Sequence, residues 1–85
     1  MTSFHYKIQS SMGLHARPTG IMVKRLKPLD AQVIIRCGER SADAKKLFSV
    51  MSMAVKQGET VTIEIDGPEE ETLKEELSAF FSEHF

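Results

Sequence analysis

The sequence predicts an α+β fold in which helices cover one face of a sheet and water covers the other. Two segments, residues 4–8 and 60–66, alternate apolar and polar side chains with a period of two, which makes strands buried on one side only. Segments between the strands repeat apolar residues at helical spacing, giving the order β-α-β-β-α-β-α. A sheet of this kind needs cover on its apolar face alone. With 85 residues the chain can build one modest core, so a single domain over 1–85 is expected.

In FHYKI (4–8), Phe4, Tyr6 and Ile8 face one way and His5 and Lys7 the other. ARPTGIMVKRL (16–26) spaces Met22, Val23 and Leu26 as a helix does. Pro18 falls in the first turn, where its missing N–H had no partner to lose, and Pro28 closes the segment. Gly20 lies inside this helix at a cost of about 1 kcal/mol relative to alanine, and leaves that face open to a close-approaching partner. QVIIRC (32–37) is rich in β-branched residues and reads as a strand; a Gly-Glu turn leads into RSAD (40–43), its short partner. KLFSVMSMAV (46–55) predicts a short helix stopped at KQG, with Gly58 in the left-handed conformation of a helix end. TVTIEID (60–66) turns Val61, Ile63 and Ile65 inward, and the Gly-Pro that follows breaks it. In residues 69–85, Leu73, Leu77, Phe80 and Phe81 form an apolar stripe, and glutamates crowd the first turn, where the helix dipole favours them.

Composition removes several classes of function. A net charge of −1 provides no basic field for nucleic acid. Cys37 is the one cysteine, which excludes an internal disulfide, fits a reducing compartment and reads as a small packed hydrophobe. His5, His15 and His84 lack metal-ligand spacing, so neither metal nor cofactor is expected; His5 falls on a solvent face and His84 in a last helical turn. The N-terminal residues have neither the basic start nor the apolar run of a signal peptide, and no apolar run approaches the ~20 residues that span a bilayer. A small soluble cytoplasmic domain without membrane insertion is expected.

One stretch asks for chemistry. MGLHARPTG (12–20) sets His15 between a glycine turn and a proline, with Arg17 two positions on. The free amides of a first helical turn point outward, and the dipole adds partial positive charge, so an anion is favoured there. Arg17 adds a permanent cation whose planar fork matches phosphate oxygens. A histidine ring, with a reference pKa of ~6.5, stays largely neutral and nucleophilic at cellular pH. Together these residues describe a nucleophile in an anion cradle, which is what phosphoryl transfer requires. On local chemistry alone, a histidine at a helix start serves equally well as a turn residue.

GLHARPTG resembles the active-site motif of the HPr family, the histidine phosphocarriers of the bacterial phosphoenolpyruvate-dependent sugar phosphotransferase system. ADAKKLFSVMSMAVKQGETVTIEIDG (42–67) resembles the second signature of that family, and the spacing of the two extends the likeness over essentially the whole chain. The resemblance implies an open-faced β-sandwich, a four-stranded antiparallel sheet covered on one side by three helices. It implies that His15 takes a phosphoryl group on Nδ1 from phosphorylated Enzyme I and passes it to enzyme II A domains. Arg17 is the matching arginine, and the amides of Ala16 and Arg17 are the expected oxygen ligands. A stoichiometric carrier, not an enzyme, follows, and it is expected to be a monomer.

By the same resemblance the partner surface comprises Gly20, Lys24, Lys27, Leu47, Phe48 and Met51, apolar in the middle with lysines at its rim. Leu47 and Met51, four apart, read equally well as core; Phe48 is the expected exposed anchor. Position 46, a serine phosphorylated by a dedicated kinase in many Gram-positive members, is Lys46 here. Lysine has no hydroxyl, so no regulatory serine is expected. The alternative is a paralogue in a regulatory phosphorelay, or one that binds a regulator. The paralogue known to bind a regulator lacks the histidine and keeps the serine, and this chain does the reverse.

Overall fold

Four strands and three helices make up the computed structural model, which describes all 85 residues: β1 (Thr2–Lys7), α1 (Ala16–Leu26), β2 (Gln32–Cys37), β3 (Arg40–Asp43), α2 (Leu47–Ser52), β4 (Thr60–Asp66) and α3 (Glu70–His84). The sheet runs β1-β4-β2-β3 and every pairing is antiparallel. In the register, Ile63 of the central β4 lies opposite Phe4 on one side and Ile35 on the other. Because side chains alternate across a strand, that alignment puts Val61, Ile63, Ile65, Val33 and Ile35 on one buried face. Met22, Leu26, Val50, Leu73, Leu77 and Phe81 close over them in one core cluster. The other face stays polar: His5 Nδ1 meets Thr62 Oγ1 at 2.8 Å, and Arg36 pairs with Glu64 at 2.9 Å. The open-faced architecture expected from the sequence is the one observed.

Several boundaries move. Strand β1 starts at Thr2, and Ile8 leaves the ladder yet keeps its inward alternation. Helix α2 is six residues long, not the ten of 46–55. Met53 and Val55 are both buried. A helix would place positions two apart on nearly opposite faces, so the chain leaves the helix and takes Ala54 to φ 51. The left-handed residue after α2 is therefore Ala54, and Gly58 belongs to the turn before β4, where its N–H donates to Ile8 O. In α3, Phe81 enters the core while Phe80 stays half-buried at its edge.

The end of β2 is pinned by a polar cluster. Arg40 donates to Met53 O at 2.6 Å, to Cys37 Sγ at 3.2 Å and to the Glu59 carboxylate. Burial, with Glu59 nearby, pushes the Cys37 thiol up from its ordinary value. The Lys56 N–H, and after it the Arg40 guanidinium, hold the Glu59 carboxyl below the usual carboxylate range. A carboxyl lowered on folding contributes stability above its unfolded pKa, and that contribution is lost as pH falls through the folded value. Wild type should therefore lose more Tm than Glu59→Gln between about pH 5 and about pH 2. Equal slopes in thermal melts across that range would remove Glu59 as a source of acid sensitivity.

Candidate functional site

The loop that delivers His15 is fixed before the helix begins. Gln9 and Ser10 donate their N–H groups to the Phe85 carbonyl at 2.6 and 2.7 Å, and Gly13 N–H closes a turn onto Ser10 O at 3.0 Å. Leu14 is buried in the core and its N–H donates to Val55 O at 3.2 Å. Gly13 sits at φ +64 with its α-carbon pressed against the 55–56 backbone: a Cβ there would fall 2.2 Å from Val55 O. No side chain fits that position, which is why the sequence has glycine two residues before the histidine.

His15 is the N-cap of α1, extended at φ −88 and ψ 161. Its carbonyl receives the Thr19 N–H at 3.2 Å and the Thr19 hydroxyl at 2.8 Å, with Thr19 wholly buried. The half-buried imidazole directs Nδ1 at Gly13 O, 3.0 Å away. Phe85 packs against the ring edge-to-face, centroids 5.8 Å apart. Ahead of Thr19, the amides of Ala16 and Arg17 find no carbonyl partner, and Pro18 has no N–H. The first turn carries no acid and no side-chain cap, so the positive end of the helix dipole is uncompensated.

The surrounding charges are mostly positive, with Asp43 the one acid lining the adjoining groove between α1 and α2. Five ion pairs occupy Arg25, Arg36, Arg40 and the Met1 amino group. Arg17, Lys24, Lys27 and Lys46 are in none of them, and all four are exposed. Helix α2 turns Val50 into the core, leaves Leu47 and Met51 half-buried, and holds Phe48 out at 85% exposure. Of the two readings of Leu47 and Met51, neither core nor free surface is complete; both sit at the boundary. An open groove of about 810 Å³ between α1 and α2 brings together Val23, Lys27, Lys46, Leu47 and Phe48. His15, Gly20, Lys24 and Met51 lie outside that groove. A Cβ on Gly20 would meet nothing within 4 Å, so the chain's own packing does not demand glycine there.

Sequence reasoning missed three neighbours of this face. Met12 and Ile21 are exposed at 69% and 51% beside the histidine loop and on α1. Ile21 precedes the Met22–Val23–Leu26 stripe and so could have been recognised as off it. Phe85 gave no local signal, being distant in sequence from His15.

The family model described as the HPr component phosphorylation site of the phosphotransferase system matches residues 2–83. Phosphocarrier protein HPr of Haemophilus influenzae is 38% identical over 79 residues, 93% of each chain. Among solved structures, the histidine-containing phosphocarrier protein of Mycoplasma aligns with TM-score 0.88 at 28% identity, covering 93% of this chain and 90% of that one. Crh, the catabolite repression protein of Bacillus subtilis and a swapped dimer, aligns with TM-score 0.75 at 28% identity over 98% and 95%. No helix of the chain is long and apolar enough to cross a membrane.

Proposed function

Because the chain belongs to the HPr family, we propose that it is a cytoplasmic phosphocarrier of the phosphotransferase system. In this reading His15 takes a phosphoryl group from phosphorylated Enzyme I and hands it to a sugar-specific enzyme II A domain. One observation carries it: an imidazole stands at the uncompensated N-terminus of α1, beside an arginine with no ion-pair partner.

A carbonyl only accepts, so the Nδ1 that faces Gly13 O holds a proton in the unloaded carrier, and in the neutral ring the lone pair is then on Nε2. Loading on Nδ1 then requires the proton to move to Nε2 and the ring to turn Nδ1 outward. The Nδ1–phosphorus bond forms as the donor's bond to phosphorus breaks, and the transferred oxygens meet the Ala16 and Arg17 amides and the Arg17 guanidinium. A helix end contributes ~0.3–1 kcal/mol to an exposed anion and an exposed ion pair ~0.2–1 kcal/mol. Interactions of that size orient the group and still release it. The carrier is consumed and regenerated stoichiometrically, acts as a monomer and uses no cofactor.

Partners dock over Phe48, Leu47 and Met51, with Lys24 and Lys27 at the rim and Gly20 allowing close approach to α1. Incubation with Enzyme I and phosphoenolpyruvate should give one acid-labile, base-stable phosphate per chain, discharged by an enzyme II A domain. A chain left unlabelled beside a working donor overturns the reading. Labelling without discharge to any enzyme II A domain assigns the chain to a regulatory phosphorelay instead.

Lys46 stands exposed as the N-cap of α2 and has no hydroxyl to modify. Treatment with the serine kinase of the family and ATP should therefore leave the mass unchanged, whereas Lys46→Ser should gain one phosphate. A phosphorylated wild-type chain would refute the absence of serine control.

A further inference from the structure

We infer that Phe85 is a positioning residue for phosphoryl transfer, holding the His15 imidazole at the mouth of α1 through the edge-to-face contact of the two rings. The inference rests on the carrier reading and adds to it a residue far from the motif.

Three observations make Phe85 a fixed wall. The residue is 3% exposed, and its ring packs against Phe81 at 5.0 Å and Phe80 at 6.1 Å between ring centroids. Its N–H donates to Phe81 O at 2.8 Å, which continues the hydrogen bonding of α3. Its carbonyl receives both Gln9 and Ser10 N–H groups, so the same residue ties down the loop that precedes the histidine. One residue thus fixes both the approach of the backbone and one side of the reactive ring.

The division of labour follows from the two torsions of histidine. Rotation about Cα–Cβ moves the whole ring, and its staggered wells lie far apart. Rotation about Cβ–Cγ turns the ring almost about its own centre, and that torsion is broad. A neighbour packed at 5.8 Å edge-to-face opposes the first motion and tolerates the second. Phe85 therefore keeps the ring centre in place while Nδ1 swings from Gly13 O toward the donor. Without it, the imidazole samples positions from which the donor phosphorus is out of line, and misplacement of a reacting atom by about 1 Å can lower a rate by up to ~10²-fold.

The test pairs Phe85→Leu, which keeps an apolar side chain in the core, with Phe85→Ala, which opens a cavity. Each is loaded by Enzyme I and phosphoenolpyruvate, with kcat and KM for the carrier measured separately and the fold followed by Tm. Phe85→Leu should retain a cooperative melt close to wild type and lose about tenfold in kcat at nearly constant KM. NMR should show one Cα–Cβ rotamer for His15 in wild type, and averaged couplings in Phe85→Leu. A Phe85→Leu protein with wild-type kcat overturns the inference, as does a wild-type protein whose His15 couplings are already averaged. Failure of wild type to be labelled at all is a different result: it removes the carrier reading itself.

Discussion

His15→Ala is expected to take up no phosphate from Enzyme I and phosphoenolpyruvate, with labelling at background over any incubation that saturates wild type. No other side chain replaces it. His5 lies on the far, polar face of the sheet against Thr62, and His84 packs against the Phe80 ring at a tilt at the end of α3. The fold should survive, because the His15 side chain makes one hydrogen bond, to Gly13 O, while its carbonyl keeps both Thr19 partners in the variant. Loss of one hydrogen bond and one aromatic contact changes stability by about 1–2 kcal/mol. A melt that stays cooperative beside a complete loss of labelling separates chemistry from folding. Arg17→Ala provides the graded contrast: an exposed guanidinium with no ion pair costs nothing to remove in Tm. On the proposed reading it withdraws a charge-assisted hydrogen bond from the transferring group, so loading should slow roughly 10- to 100-fold. Residual labelling of His15→Ala at a rate comparable with Arg17→Ala would mean that another residue accepts the phosphate.

Gly13→Ala should produce the largest loss of stability of any methyl-sized change near the site. A Cβ at φ +64 carries a left-handed penalty of about 1–2 kcal/mol. The larger effect is steric. The new carbon would lie 2.2 Å from Val55 O and 3.0 Å from the Lys56 Cα, so backbone must give way. Val55 O is also the acceptor for Leu14 N–H, and moving it loosens the anchor of the histidine loop. A combined destabilisation of about 2–4 kcal/mol is expected, which for a domain of this size lowers Tm by roughly 10–25 °C. Gly20→Ala is the control. A Cβ there meets nothing, and alanine is the better helix former by about 1 kcal/mol, so Tm should hold or rise. Equal Tm values for Gly13→Ala and wild type would show that the 55–56 backbone yields freely.

Much of the architecture was legible because two strands obey a period of two, and the alternation in TVTIEID is the alternation of buried and open positions in β4, whereas β2 was read from its β-branched residues and β3 from the turn that precedes it. Helix α1 was legible to the residue, since Pro18 and the Met22–Val23–Leu26 stripe agree on one register. Helix α2 was not. Apart from Lys46, Ser49 and Ser52, KLFSVMSMAV is apolar and holds no glycine or proline, so local pattern could not reveal that the chain leaves the helix at Met53 and turns left-handed at Ala54, which brings both Met53 and Val55 into the core. At the candidate site, the placement of His15, Ala16 and Arg17 at the start of α1 was readable because one loop and one helical turn deliver all three. Phe85, the Val55 carbonyl and the groove beside Phe48 were not, since each depends on segments brought together only by the sheet and α3.

The strand order has a consequence for how the protein is made. β1 hydrogen-bonds to no strand but β4, with Lys7 opposite Thr60 and Thr2 opposite Ile65. A nascent chain on the ribosome therefore holds β1 unpartnered until β4 has been synthesised, a long-range pairing that closes late and slowly. Any premature stop before β4 should yield a polypeptide cleared by proteases, with no half-active fragment left behind.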